Sequence, residues 1–402
     1  MKILWHGVKG SLPTGYGNQT ALFVPALIGA GHDVAISCVV DQYQTGLDEN
    51  GILNFANGPR PWGNDLVHGH VDRYKPDAVI SMVDNFLCDS EKFKKFPWYP
   101  FVFVDSEPLL PEIQESLKAC KRPIAPTQHA MRMLTHAGFD PLYCPLAIDT
   151  EMYRPINRQV ARADLQKMWQ VDLDGKFLAV MNAANMSMPS RKNFAAAFAA
   201  WAMFHVEHPN SILYVHSEIT GVLTRGEDLR KVAKLYGVEN SVIFAPQYEY
   251  TCGVIGQEYL NAMYNAADVY LCTSTGEGFC LPLVEAQAAG CPVIAPNFGA
   301  TAEFAHATEL IKEGIKYMYH PGTERFLVDP KDAAQRLHES AAWMKADRSI
   351  ADSIEETRQN VLLFDIQNVM QNHMLPMLEQ IKQLEGITDE KTDEAEFSTA
   401  YA

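Results

Sequence analysis

Basic residues are in short supply. The 402-residue chain sets 33 Lys and Arg against 49 Asp and Glu, a formal net charge of −16, which speaks against a protein that grips nucleic acid or anionic lipid with its whole surface. No stretch approaches the roughly 18 to 20 apolar residues of a membrane span, and MKILWHGVKG carries too short an apolar run for a signal peptide. The expectation is a soluble, cytoplasmic protein with no transmembrane segment. The eight cysteines (Cys38, Cys88, Cys120, Cys144, Cys252, Cys272, Cys280 and Cys291) include no C-x-x-C pair. They read as small buried hydrophobes in a reducing compartment, not as a zinc site or a disulfide frame. A P-loop, a G-x-S-x-G elbow, internal repeats and low-complexity tracts are all missing.

What is present has the composition of a globular protein, 47% hydrophobic and 20% charged, with length for two domains and a cleft between them. Short apolar runs bounded by turn signals alternate with helix-period segments, the pattern of βα units building parallel sheets. The expected strands are Lys2–Trp5, Asp33–Val40, Ala78–Ser81, Tyr99–Val104 and Pro123–Pro126, then Phe177–Asn182, Ser211–His216, Val242–Ala245, Val269–Thr273 and Pro292–Ala295. The fold class is α/β, with two Rossmann-like domains over 1–155 and 156–350. Ala351–Leu384 reads as a terminal amphipathic helix that Pro376 should kink or break. The acidic stretch 385–402 reads as a disordered tail.

Four motifs carry chemistry. Asp268–Gly299, DVYLCTSTGEGFCLPLVEAQAAGCPVIAPNFG, reads strand, glycine loop, helix, turn, strand, with Glu277 in the loop and Glu285 inside the helix facing the same cleft. Ligands of open α/β sheets bind beyond the carboxyl ends of the strands, and amides of Gly278, Phe279 and Cys280 at a helix start can receive an anion. In Asn182–Asn193, NAANMSMPSRKN, Arg191 and Lys192 stand directly before a helix. Cations there oppose the helix dipole, so a diphosphate explains them better than a solvated face does. Ser11–Thr20, SLPTGYGNQT, offers backbone at Gly15 and Gly17 but makes a poor dinucleotide fingerprint, because the third glycine is missing. Phe101–Pro111, FVFVDSEPLLP, ends a buried strand in Asp105, Ser106 and Glu107.

The pattern EGF-x-LP-x-x-EA-x-A-x-G-x-PVI, together with the Arg–Lys pair, resembles retaining glycosyltransferase family 4 (glycosyltransferase group 1), and the likeness runs from about residue 1 to 385. The resemblance implies a GT-B fold: two Rossmann-like domains facing across a cleft, acceptor on the N-terminal one, nucleotide-sugar on the C-terminal one, and a C-terminal helix crossing back to the N-terminal domain. It implies a metal-independent, retaining transfer of a hexose-type sugar from a UDP- or GDP-sugar to a hydroxyl acceptor, with no cofactor. Glu285 would accept from the ribose hydroxyls, Glu277 would contact the donor sugar, and Arg191 and Lys192 would meet the phosphates. The loop amides of Gly278 to Leu281 would serve sugar or phosphate oxygens, and Gly15 and Gly17 would face the phosphates and acceptor. Cys280 stands where such enzymes usually have Gly, and Asp105 where many have His, which leaves Asp105 as base, acceptor ligand or structural cap. The acceptor could be a glycan, a lipid-linked or a small molecule, with DNA disfavoured by the net charge.

Competing readings are an epimerase using the same donor pocket, a viral-type DNA-base glycosyltransferase, and a non-catalytic sugar-binding module. Asp172-x-Asp174 has a metal-binding spacing but falls in a polar loop, His68-Gly69-His70 reads as surface, and Asp149 reads as a turn former. Trp169, Trp201 and Trp343 read as packing anchors.

Overall fold

The computed structural model describes residues 1–222, 224–305, 309–345 and 350–388. Residues 389–402 of the expected acidic tail lie outside them. The chain divides into two compact units: Met1–Phe103 with Leu109–Ala147 and Ile366–Ala402, and Val104–Pro108 with Ile148–Asp365.

In the first unit, β1 (Lys2–Gly7), β2 (Asp33–Cys38), β3 (Gly46–Leu47), β4 (Leu53–Phe55), β5 (Ala78–Met82) and β6 (Trp98–Pro100) form one sheet in the order β3-β4-β2-β1-β5-β6. All pairs are parallel except β3 with β4. Strands β1 and β5 are buried along almost their whole length and mostly apolar, as expected where both faces of a parallel sheet are covered. A small parallel pair, β7 (Ile124–Ala125) with β8 (Leu142–Tyr143), extends the unit, and Phe101 bridges to Ile124. The Thr14 hydroxyl caps the helix Gly15–Gly29 by accepting from the Gly17 amide at 3.0 Å.

Two expectations are corrected by the structure, one in this unit and one at the C-terminal helix. His70 is not at the surface: it is buried, and its Nδ1 lies 2.9 Å from the Ser37 hydroxyl, which also meets His6 Nδ1 at 3.0 Å. Burial pushes both imidazoles down to about 4, so they sit neutral in the core. The terminal helix is also not continuous. Ile350–Gln359 packs on the helix Leu281–Ala288 of the second unit. The chain then breaks at Leu362–Phe364, where Phe364 lies edge-on to Phe279 and Phe304 and Ile148 N donates to Phe364 O at 2.8 Å. Helical structure resumes at Ile366 and packs back on Gly15–Gly29, the return to the N-terminal unit that the resemblance implies. Pro376 does not break it. A widened π turn over Met370–Met374 precedes the proline and absorbs its missing amide.

In the second unit, β9 (Phe177–Asn182), β10 (Ser211–His216), β11 (Val242–Phe244), β12 (Val269–Leu271), β13 (Val293–Pro296) and β14 (Glu309–Ile311) form a wholly parallel sheet in the order β11-β10-β9-β12-β13-β14. Chain order reverses between β9 and β12, so the crevice beyond their carboxyl ends is the topological switch point. The helix Phe194–Glu207 packs Phe194, Phe198, Trp201 and Phe204 on this sheet, and Trp201 Nε1 donates to the Ser241 hydroxyl at 3.0 Å. Trp169 stacks on Tyr214 with ring centroids 4.1 Å apart.

An antiparallel hairpin, β15 (Gly314–His320) with β16 (Thr323–Val328), was not expected. Pro321 and Gly322 form its turn, with Gly322 at φ +77°. The short segment Val104–Pro108 lies against this hairpin through one antiparallel bridge: Glu107 and Glu324 exchange backbone hydrogen bonds of 2.9 and 2.7 Å. Asp105, read from sequence as the end of an N-terminal strand, is thereby held in the second unit.

Candidate functional site

The loops leaving β9 and β12 meet at the switch point. The first delivers Arg191 and Lys192 and is closed by Asn193, whose left-handed backbone (φ 56°) starts the next helix while its side chain accepts from Ala196 N. The second runs from Cys272 to Cys280. Backbone ties fix the two loops together: Thr275 N donates to Arg191 O at 2.8 Å, and the Thr273 hydroxyl donates to the carbonyls of Lys192 and Asn193.

Glu277 is the centre of the cluster. Its carboxylate, buried, takes Lys192 Nζ on Oε1 at 2.5 Å and Arg191 Nη1 on Oε2 at 2.6 Å. Burial alone would raise this carboxyl, but Arg191 and Lys192 outweigh it and hold it down at about 2. Arg191 also donates to the Gly276 carbonyl, and its Nε lies 3.7 Å from Asp105 Oδ2. Burial lowers and the Glu277 and Asp105 charges raise the Arg191 guanidinium, with a net rise. A Cβ on Gly276 would lie 1.9 Å from the Asp105 carbonyl oxygen. Gly276→Ala is therefore expected to displace Val104–Pro108 and lower the thermal midpoint, and an unchanged midpoint would contradict this contact.

Glu285 has a different environment. It lies inside the helix Leu281–Ala288, buried, with Tyr264 donating to Oε2 at 3.1 Å and Tyr153 beside it. Tyr264 in turn accepts from Asn182 Nδ2 at 2.9 Å, which links Glu285 to the end of β9. Burial pushes Glu285 up to about 7, while the Tyr264 and Tyr153 hydroxyls pull part of the way back. The two carboxylates are thus set apart, Glu277 held down at about 2 and Glu285 pushed up to about 7.

Cys280 begins the same helix with φ +80° and no side-chain cap, so the left-handed position is a physical reason for the glycine expected there. Cys280→Gly is expected to stabilise the protein by at most about 1 kcal/mol in denaturant melts. A loss of stability instead would show that the thiol's hydrogen bond with Cys272 matters more than backbone relief. Gly278, Phe279 and Leu281 complete the loop, Phe279 buried against Phe304.

Other sequence candidates fall elsewhere. Gly15 is exposed at the start of its helix in the first unit; Gly17 is buried, and a Cβ there would lie 2.1 Å from the Leu12 carbonyl oxygen. Asp172 accepts from Asp174 N at 2.9 Å in a local turn, and Asp149 likewise accepts from Glu151 and Met152. Among the described residues no three His, Cys, Asp or Glu side chains converge as a metal site, and no helix is long and apolar enough to cross a membrane. All eight cysteines are free; Cys252, unlike the others, is exposed.

The sequence reading missed Arg325 on β16. Its Nη2 donates to Asp105 Oδ2 at 2.7 Å, and its guanidinium lies 3.4 Å over the Tyr319 ring. The aromatic and aliphatic runs YMY and FLV on either side of the Pro321–Gly322 turn were a legible hairpin signal. Nothing in the sequence pointed from that hairpin to Asp105.

Residues 190–361 match the family described as Glycosyl transferases group 1. A D-inositol 3-phosphate glycosyltransferase of Streptomyces coelicolor is 32% identical over 139 residues, which is 32% of this chain and 29% of the relative. The chain is similar in fold to a sucrose-phosphate synthase of Thermosynechococcus elongatus (TM-score 0.72, 19% identity, 96% of this chain and 100% of that one). It is also similar to an E. coli structure described as trehalose-6-phosphate bound with UDP-2-fluoro glucose (TM-score 0.65, 14% identity, 95% and 99%).

Proposed function

We propose that this chain, which has the GT-B fold and carries a group 1 glycosyl transferase segment, moves a hexose-type sugar from a nucleotide-diphosphate sugar to a hydroxyl acceptor with retention of configuration. The observation that carries the reading is the Arg191–Glu277–Lys192 cluster at the switch point of the second unit. As the bond from anomeric carbon to phosphate oxygen breaks, negative charge develops on the diphosphate and positive charge on the sugar. Arg191 and Lys192 stabilise the first, with the amides of Gly278 to Leu281. Glu277, kept ionised by its two cations, faces the second. The acceptor oxygen bonds to the anomeric carbon on the face the diphosphate leaves, and its proton passes to a phosphate oxygen of the leaving group. Retention and independence of a divalent ion follow from this scheme.

Glu285 accepts from the ribose hydroxyls, and the donor is a UDP- or GDP-sugar. The acceptor side belongs to the first unit, where Gly15 is the exposed backbone of the first loop. Eight unpaired cysteines suit a cytoplasmic setting. The test is nucleotide release from a panel of UDP- and GDP-sugars with hydroxyl acceptors, the anomeric configuration of the product read by NMR. Acceptor-dependent release with a retained anomer supports the reading. Conversion of the nucleotide-sugar alone into its epimer, or binding without turnover for every donor and acceptor, overturns it.

A further inference from the structure

Asp105 Oδ2 is shared by two arginines at unequal distances: 2.7 Å to Arg325 Nη2 and 3.7 Å to Arg191 Nε. Arg325 holds the near place rigidly. Its side chain is buried, it is stacked on Tyr319, and Glu324 beside it is paired with Glu107 across the strand. Arg191 is left with only a long contact to Asp105, and its Nη1 turns to Glu277 and the Gly276 carbonyl. In this cluster three cations (Arg191, Lys192, Arg325) are tied by ion pairs to two carboxylates (Glu277, Asp105), so Arg191 and Arg325 share Asp105.

We propose that Arg325 is a positioning residue of the diphosphate site: by occupying Asp105 it keeps that carboxylate from capturing Arg191, which stays oriented toward the crevice. The inference rests on the function proposed above. Without Arg325, a mostly buried Asp105 carboxylate lacks its close partner, and the nearest cation able to satisfy it is Arg191. An uncompensated buried charge is costly, so Arg191 is drawn toward Asp105 and away from a ligand phosphate. The harm in losing Arg325 then comes from Asp105, and removing both groups should undo it.

The test is calorimetric affinity for UDP and GDP, with uridine and guanosine as controls, in wild type, Arg325→Met, Asp105→Asn and the double variant. Arg325→Met is expected to weaken diphosphate binding about tenfold with nucleoside affinity unchanged, and the double variant to return within about threefold of Asp105→Asn. If Arg325→Met does not fold, Arg325→Gln alone and with Asp105→Asn carries the same comparison. A double variant as weak as the single one makes Arg325 a mere brace of the hairpin and overturns the proposal, as does a single variant that binds like wild type. Wild type that binds neither diphosphate overturns the functional reading, and this inference with it. Binding by wild type without the rescue overturns the inference alone.

Discussion

Replacing Lys192 by alanine is expected to lower turnover by about two to three orders of magnitude, while donor affinity falls by no more than about tenfold. The Lys192 ammonium stands 2.5 Å from Glu277 Oε1, at the point where the two switch-point loops meet. In the ground state a diphosphate already has Arg191 and the loop amides. The charge that grows on the departing oxygen has no further partner once Lys192 is gone, so the loss falls on the transition state. The variant also leaves Glu277 with one cation, which removes part of what holds its carboxyl at about 2. Steady-state kcat and KM measured separately decide the matter. Normal kcat with a raised KM would reduce Lys192 to a docking charge.

Glu285→Gln is expected to abolish a pH dependence that wild type shows. A carboxylate that accepts ribose hydroxyls must be ionised, yet burial holds Glu285 at about 7. Donor affinity in wild type should fall by about tenfold per pH unit as pH drops below 7, and in Glu285→Gln it should be weak and flat once the titration of the phosphate itself is subtracted. Stability should move in the opposite direction. Because the folded-state value lies above the ordinary carboxyl value of 4.5, the ligand-free protein binds more protons than the unfolded chain between them. That contribution is complete below pH 4.5 and is lost as pH rises through about 7. Glu277, depressed to about 2, has the reverse sign: its contribution is present above 4.5 and lost toward pH 2. Affinity titrations and thermal melts at pH 5, 6, 7 and 8 on both proteins check the pair of claims. A wild-type affinity that does not change with pH would contradict the assignment of Glu285.

The central strands of both sheets were legible because a parallel strand covered on both faces leaves a short, mostly apolar run: KILWHG, AVISM, FLAVMN and SILYVH all contain the expected strands. The short edges β3, β4 and β14 carry no such signal. The Arg–Lys pair and Glu277 were legible as neighbours because their loops leave strands that the βα pattern brings together at a switch point. Side-chain partners were not. Tyr264 reaches Glu285 from a helix 21 residues earlier, and Arg325 reaches Asp105 across 220 residues of sequence. His70 was misplaced for the same reason: a histidine between polar neighbours looks exposed until Ser37, itself bonded to His6 of the adjacent strand, is known to meet it. The break after Gln359 is tertiary as well, since Phe364 and Asp365 are anchored by Phe279 and Thr150.

The most direct measurement is the calorimetric affinity of a nucleoside diphosphate against its parent nucleoside, in wild type and in Arg191→Met/Lys192→Met. Two buried-edge cations meeting a diphosphate predict a preference for the diphosphate of about a hundredfold in wild type, and a preference reduced to within about threefold in the double variant. Equal affinity for the two ligands in wild type, or a full preference that survives removal of both cations, would contradict the account.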